Sequence, residues 1–535
     1  MMKRFLVIGF SISLFALIVL RCSGSKETES DKAHYGGNVR IGLLGTINDL
    51  FPFNITEYNA KEISQYLLNP GLTGAGSGDE PVPELAAGWQ IADDHKTITY
   101  MLDHEYTWSN GRKINSNDVV SSFNFIRKYQ DQLNAVSNVS LLRDPEIIDS
   151  LTVRFSFNRP VADPLQLTRF PVMAGEMLLE TKGLIQIIND YFSDFTGCGP
   201  FLLKIRNEKE IRLERNPYYF GKKPYLDTLT FLFYSDVDSM ISALRKQELD
   251  FVYDLPVSSL NDVENLADYK IVASSEKGFT FIGWNLRNPT LQSLQIRKAL
   301  TAALDRATLV DGILSGFAEV EDSPAYPEFW AYFSKTAGKY DPMYAKQLLS
   351  AQGWDTRNDE GLLVKDGKFL TLNLLTNIES NIRKELATNI KAYYRTIGID
   401  INLEILPWNK FIERLNKGLF DAVIISWVEN ETFDPSDLFH SASIKNGNNF
   451  MGYRNPEVDA LIEQGLTNLD KEIRKKSWIE FQRTIVDELP VTVLFNKKII
   501  NIVSNNLQNI RINGRSYLSN ADSWWLSKPV IVKQQ

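Results

Sequence analysis

Cysteine and histidine are almost missing from this sequence of 535 residues: Cys22 and Cys198 are the two cysteines, and His34, His95, His104 and His440 are the four histidines. Two cysteines cannot build a disulfide framework, and no C-x-x-C pair occurs that would read as a zinc or redox motif. No H-E-x-x-H is present: His104-Glu105 is followed by Tyr106, Thr107 and Trp108, so a second zinc ligand is missing. A G-x-S-x-G nucleophile elbow is missing too. The glycine-rich run from Gly71 to Gly78 fits neither phosphate-loop pattern and has no strand-to-helix frame, so it reads as a surface loop. A basic excess is also lacking. The formal net charge of -8 argues against nucleic acid, whose phosphates need a positive surface. A glycosidase needs only two carboxylates, yet none of the 66 acidic residues is singled out as a pair by its surroundings. The expectation is a protein without catalytic residues, metal or cofactor.

At the amino end, Lys3 and Arg4 precede an apolar run from Phe5 to Leu20, followed by Arg21-Cys22-Ser23-Gly24-Ser25. A positive start, a short apolar core and small polar residues describe a secretory signal. The run is slightly short of the ~20 residues a spanning helix needs, and no second apolar segment is long enough. Val19-Leu20-Arg21-Cys22 resembles a lipobox, in which a bacterial cysteine is acylated and becomes the new amino terminus. Arg21 departs from the small residue usual there. Three readings stand: a lipoprotein, an uncleaved anchor, and a plain signal peptide with a chance cysteine; lipidation of Cys22 is the one adopted. Cys198 is then a lone thiol, expected to be a buried small residue. Lys26, Glu27, Glu29 and Asp31 mark a polar tether.

The rest of the chain has an ordinary composition, 44% hydrophobic and 23% charged, and is too long for one core. From Pro83 to Phe125 it reads as a strand pair leading into a helix. Thr97, Thr99 and Tyr100 favour a strand, Asn110-Gly111 a turn, and Ser116, Asn117 and Asp118 open a helix carrying Val120, Phe123 and Phe125. The wording of this block, with Glu84-Leu85-Ala86, Trp89, Asp93-Asp94, Trp108-Ser109-Asn110-Gly111 and Asn117 to Phe123, resembles the family 5 extracellular solute-binding proteins. Those are the oligopeptide- and dipeptide-binding receptors of ABC importers. A second block, Thr196 to Pro256, resembles the family's second conserved region, with Asn216-Pro217-Tyr218-Tyr219 and Lys223-Pro224-Tyr225-Leu226-Asp227 and with Cys198 where a small residue is usual. Asn455 to Leu461 matches as well, so the likeness covers nearly all of the mature chain.

The carboxyl half alternates strand and helix by its own pattern. Phe369 to Leu375 is strand-like; Ile382, Leu386, Ile390 and Tyr393 lie at helical spacing before Gly398; and Ile399, Ile401, Leu403 and Ile405 alternate with polar residues. A short helix with Phe411, Ile412 and Leu415 ends at Gly418, before an apolar strand from Phe420 to Ile425. Asp470 can cap a helix that Pro490 terminates, ahead of strand Val491 to Phe495. This order means an α/β lobe whose sheet is covered by helices.

The resemblance implies a two-lobe periplasmic-binding-protein-like α/β fold with a hinge and an extra subdomain on the first lobe. The expected divisions are 1–22 signal peptide, 23–35 tether, 36–55 with 190–278 and 498–535 as the first lobe, 56–189 as its extra subdomain, and 279–497 as the second lobe. It implies an extended ligand in the cleft, held by strand addition through backbone bonds. On the matching segments stand Trp284, Trp408, and Trp427 with its neighbours Ser426 and Val428. The two later tryptophans end strands, whose carboxyl ends face the crevice in open α/β sheets. Each could instead pack the hinge face. Gly45 to Leu50, including Thr46 and Asn48, corresponds to the cleft lining of the first lobe, chiefly through its backbone. Peptide binders of the family commonly carry Trp-x-x-Asp for the ligand's amino group; here Asn430 takes that aspartate's place, leaving Glu429 or Glu431 to supply charge. Ile424 and Ile425 stand where oligopeptide binders can carry a base for the ligand's carboxyl end.

The implied function is a monomeric, membrane-tethered lipoprotein at the periplasm or cell surface. It would capture oligopeptides and pass them to ABC permease subunits. The alternatives are another solute (a sugar, metal chelate or haem, the metal disfavoured by few histidines) and an adhesin or sensor on the same fold.

Overall fold

The computed structural model describes residues 33–75, 81–133, 141–179, 181–334, 338–429, 433–514 and 516–527. The leader with Cys22, most of the tether, and Asn430 and Glu431 of the acidic loop lie outside them. Among the described residues, twelve strands join in one sheet that runs through both lobes. From one edge the order is Asp400–Leu406, Thr371–Asn377, Ala422–Val428, Gly278–Trp284 and Val491–Ser504, then Phe251–Val252, Asn38–Leu44, Thr228–Tyr234, Glu210–Arg215 and Phe201–Arg206. Tyr269–Ser275 and Ala318–Glu319 pair with Val491–Ser504 off this path.

The strand Val491–Ser504 is the structural key. It is 14 residues long and serves both lobes. Its first part pairs with Gly278–Trp284, and its second with Tyr269–Ser275 and Phe251–Val252. The expected strand stops at Phe495 because Asn496-Lys497-Lys498 breaks the apolar run. The backbone nevertheless stays paired, and the lysines find acids: Lys497 Nζ lies 3.1 Å from Asp254 and Lys498 Nζ 2.7 Å from Glu319. Beside it the chain crosses a second time, at Glu276-Lys277, between Tyr269–Ser275 and Gly278–Trp284. Asn496 ties the crossings together by donating to the carbonyls of Glu276 and Gly278.

Gly278–Trp284 is buried at all seven positions, as a central strand with both faces covered must be. Helix Asn381–Thr396 follows strand Thr371–Asn377; it is capped by Ser380, covers the sheet with Leu386, Ala387, Ile390 and Tyr394, and is followed by Gly398 at φ +90. Tyr394, one position beyond the tyrosine expected at helical spacing, is the fully buried one, while Tyr393 is partly exposed.

The block from Pro83 to Phe125 forms the heart of a separate antiparallel sheet: Ala86–Ile91, Thr97–Leu102, Thr152–Ser156 and Glu146–Asp149. Helix Ser116–Tyr129 packs on it, with Tyr100, Trp108, Phe123 and Phe155 in the core. Asp118 explains much of the block's wording. It accepts the Asn115 N–H in a capping box, the Trp108 indole N–H at 3.1 Å and two Arg112 N–H groups at 2.7 and 3.1 Å. Cys198 is wholly buried here, with no disulfide among the described residues, and burial holds its thiol well above the usual range.

Candidate ligand-binding cleft

Parallel pairing aims strand ends at the hinge from both sides. In the second lobe Thr371–Asn377 runs parallel to Asp400–Leu406 and to Ala422–Val428, and Val428 lies opposite Gly278 beside the crossing. In the first lobe Asn38–Leu44 runs parallel to Thr228–Tyr234 and Phe251–Val252, ending at Gly45 and Tyr253. Strand carboxyl ends leave unpaired backbone and divergent loops, which is why crevices form there.

Trp427 is brought to this crevice. On its strand, residues alternate between the sheet's faces. Trp427 follows Val423 and Ile425 onto one face and stays partly exposed, while Ser426 turns to the other and shares a 2.8 Å hydrogen bond with Thr280. The Trp427 indole N–H donates to the Glu429 carboxylate at 3.1 Å. Glu429 donates its own N–H to the Lys277 carbonyl at 2.7 Å and is only 8% exposed. Burial pushes its carboxyl up to about 7, against the pull of the Asp434 N–H, Trp427 and Lys277. Val428 is exposed. Gly278 must be glycine for this packing, since a Cβ there would sit 2.3 Å from the Trp427 carbonyl oxygen.

Trp408 also reaches the crevice rim. It opens helix Trp408–Asn416 directly after its strand, lies half exposed against Phe411, and donates its backbone N–H to Glu379 at 2.8 Å. Trp284 does not belong with these two. Its side chain is 0% exposed and its indole N–H donates to Thr492 at 3.0 Å, so the expected ligand contact gives way to a core role. The reason is its central strand, closed on both faces. Thr46 is exposed after Gly45, whereas Asn48 is engaged: its amide donates to Glu57 at 3.0 Å and its carbonyl accepts from Arg206.

Sequence reasoning passed over other residues at the crevice. Arg383 lies in the first turn of Asn381–Thr396, with its Nε buried and without a hydrogen-bond partner. Burial lowers its guanidinium pKa, although Glu379 and Glu276 oppose the shift. A cation in a helix's first turn works against the macrodipole, so this position favours an added anion. The Asn377 side-chain oxygen nearby is also without a partner. On the first lobe, Tyr253 stacks on Tyr517 at 4.1 Å and on Tyr58 at 5.6 Å. Nothing local marks these residues; Arg383 reads as an ordinary helical base.

The model for bacterial extracellular solute-binding proteins, family 5, matches residues 80–450. The chain is 26% identical over 536 residues to the oligopeptide-binding protein AppA of Bacillus subtilis, covering 97% of this chain and 98% of that one. It is 23% identical to a dipeptide-binding protein of Pseudomonas aeruginosa, covering 86% of this chain and 89% of the relative. The AppA structure, solved in complex with a nonapeptide, superposes with a TM-score of 0.72 over 93% of this chain and 100% of its own. NikA of Brucella suis, solved with Fe(III)-EDTA, shares the fold at 19% identity, TM-score 0.81, over 92% of this chain and 100% of that one.

Proposed function

This chain belongs to the bacterial extracellular solute-binding proteins of family 5, and from that membership we propose that it captures peptides between its lobes and delivers them to the permease of an ABC importer. The observation that carries the peptide reading is the charge arrangement of the cleft. A desolvated carboxylate, Glu429, stands beside the Trp427 indole, and an incompletely partnered base, Arg383, stands at another strand end. A peptide's ammonium and carboxylate add counter-charge to what Lys277 gives Glu429 and Glu379 and Glu276 give Arg383, and its backbone can pair with the free strand ends. The likeness to AppA along almost the full chain supports the same cargo class.

The proposed lobes are 36–55 with 190–278 and 498–535, and 279–497, with 56–189 as an extra subdomain. The sheet crossings at Glu276-Lys277 and Asn496-Lys497 support a hinge there. The chain itself performs no chemistry in this reading; ATP is hydrolysed by a separate subunit. Cys22 is proposed as the acylated terminus that tethers the receptor to the membrane, which the mass of the mature amino-terminal peptide tests.

Mass spectrometry of ligands retained by the purified protein tests the cargo. Peptides are the expected finding; a haem, sugar or metal chelate in their place overturns the reading.

A further inference from the structure

We propose that the exposed aromatic and lysine patch where the amino-terminal chain enters the fold docks on the lipid–water interface of an anionic membrane. The patch comes from two segments. Tyr35 is 59% exposed, and the loop between Arg215 and Thr228 presents Tyr218 at 52% and Phe220 at 46%. Lys222 Nζ lies 5.0 Å from the Tyr225 ring centre and Lys223 Nζ 5.5 Å from that of Tyr35, which itself packs 5.0 Å from Tyr225. Rings with apolar bodies and polar tips, interleaved with lysines, suit the headgroup level of a bilayer, where the rings partition and the ammonium groups meet phosphate.

The patch is held out rather than folded in. Thr107 donates to the Tyr218 carbonyl at 3.0 Å, and Tyr106 supports Phe220 from beneath at 5.4 Å between ring centres. Asp227, the acid within the loop, is already engaged by Arg215 at 2.6 Å and by the Gly37 N–H at 3.1 Å. Asp522 is in electrostatic reach of Lys222.

Position selects the membrane as the occupant. The Gly36 N–H donates to the Tyr225 carbonyl at 2.7 Å, so the chain enters the fold along this loop. The thirteen residues from Cys22 to His34, joined by twelve peptide links, span roughly 40 Å at full extension, which keeps the patch within reach of the surface that holds the leader. The inference rests on the reading that the leader holds the chain at a membrane.

Hydroxyl-radical footprinting of the full chain on phosphatidylglycerol-containing phosphatidylcholine vesicles tests it. Labelling of Tyr218 and Phe220 is compared with that of Tyr344, an exposed tyrosine of the second lobe. The expected result is several-fold protection of Tyr218 and Phe220 alone, abolished in K222E/K223E although that variant still co-sediments. Equal labelling of the loop in both proteins, with co-sedimentation intact, overturns the docking and leaves the anchor standing. Failure of the unmodified chain to co-sediment overturns both.

Discussion

The two edges of the cleft solve opposite problems. On the first lobe several polar groups at the strand ends are matched within the fold: Arg40 meets Asp250 at 2.9 Å, Asp254 meets Lys497 at 3.1 Å, and Tyr253 stacks on Tyr517. Glu62, its carboxyl raised by burial to about 7, accepts from Ser516 and from the Tyr517 and Leu518 N–H groups. On the second lobe the match is left incomplete, with Glu429 desolvated and Arg383 lacking a partner at Nε. Leaving a charge under-compensated in a low-dielectric site costs stability. A fold that accepts this cost at a crevice gains a place where a ligand's charge is worth more than it would be in water. The first edge therefore offers shape and backbone, and the second offers charge.

The largest expected effect sharpens the difference between a core tryptophan and a cleft tryptophan. Trp284→Ala should destabilise the protein by about 3–5 kcal/mol in urea unfolding, through the cavity it leaves and the lost hydrogen bond to Thr492. Trp427→Ala should instead cost on the order of 2 kcal/mol in peptide binding by calorimetry. A Trp284→Ala protein of normal stability and poor affinity would reverse the assignment.

Next come the charges of the second lobe. Glu429→Gln should weaken a peptide with a free amino group about tenfold or more, the scale of a charged hydrogen bond, and leave its acetylated form nearly unchanged. Arg383→Met should discriminate in the same way between a free and an amidated carboxyl end. Equal losses for both forms of a peptide would make these residues structural.

The pH dependence follows from the sign of the Glu429 shift. Its carboxyl lies at about 7 in the fold against an ordinary 4.5, so the folded protein keeps a proton that the unfolded chain releases. That contribution to stability is present below 4.5 and fades as pH rises to about 7. Binding of an ammonium runs the other way, because it needs the ionised carboxylate. Affinity for the free-amine peptide should rise about fivefold from pH 6 to pH 7.5 by titration calorimetry, the gain from Glu429 ionisation being trimmed by partial loss of the ammonium, and the acetylated peptide should show no such rise. The smallest effect is expected on the first lobe: Tyr253→Phe keeps the stacked ring and should change affinity for every peptide form by less than about 0.5 kcal/mol. A large, charge-dependent loss there would break the contrast between the two edges.

Local pattern by itself determined the elements of this protein. Alternation marks Asp400–Leu406, helical spacing marks Asn381–Thr396, and Asp470 caps Lys471–Glu488. These features depend on neighbours within a few residues, where backbone geometry repeats at a known period. Trp427 and Glu429 meet for the same local reason, being two positions apart at one strand end. Trp284 was not legible, because its fate depends on which strands flank it, and those come from residues 422–428 and 491–504, far along the chain. Arg383 was hidden too: its meaning comes from what fails to face it. The hinge was obscured by its own lysines, which break the apolar pattern at Asn496-Lys497-Lys498 and are accommodated by Asp254 and Glu319 from distant segments. Sequence determines what the chain can form locally; burial, charge compensation and partnership are sums over contacts made across hundreds of residues, and only the tertiary structure decides them.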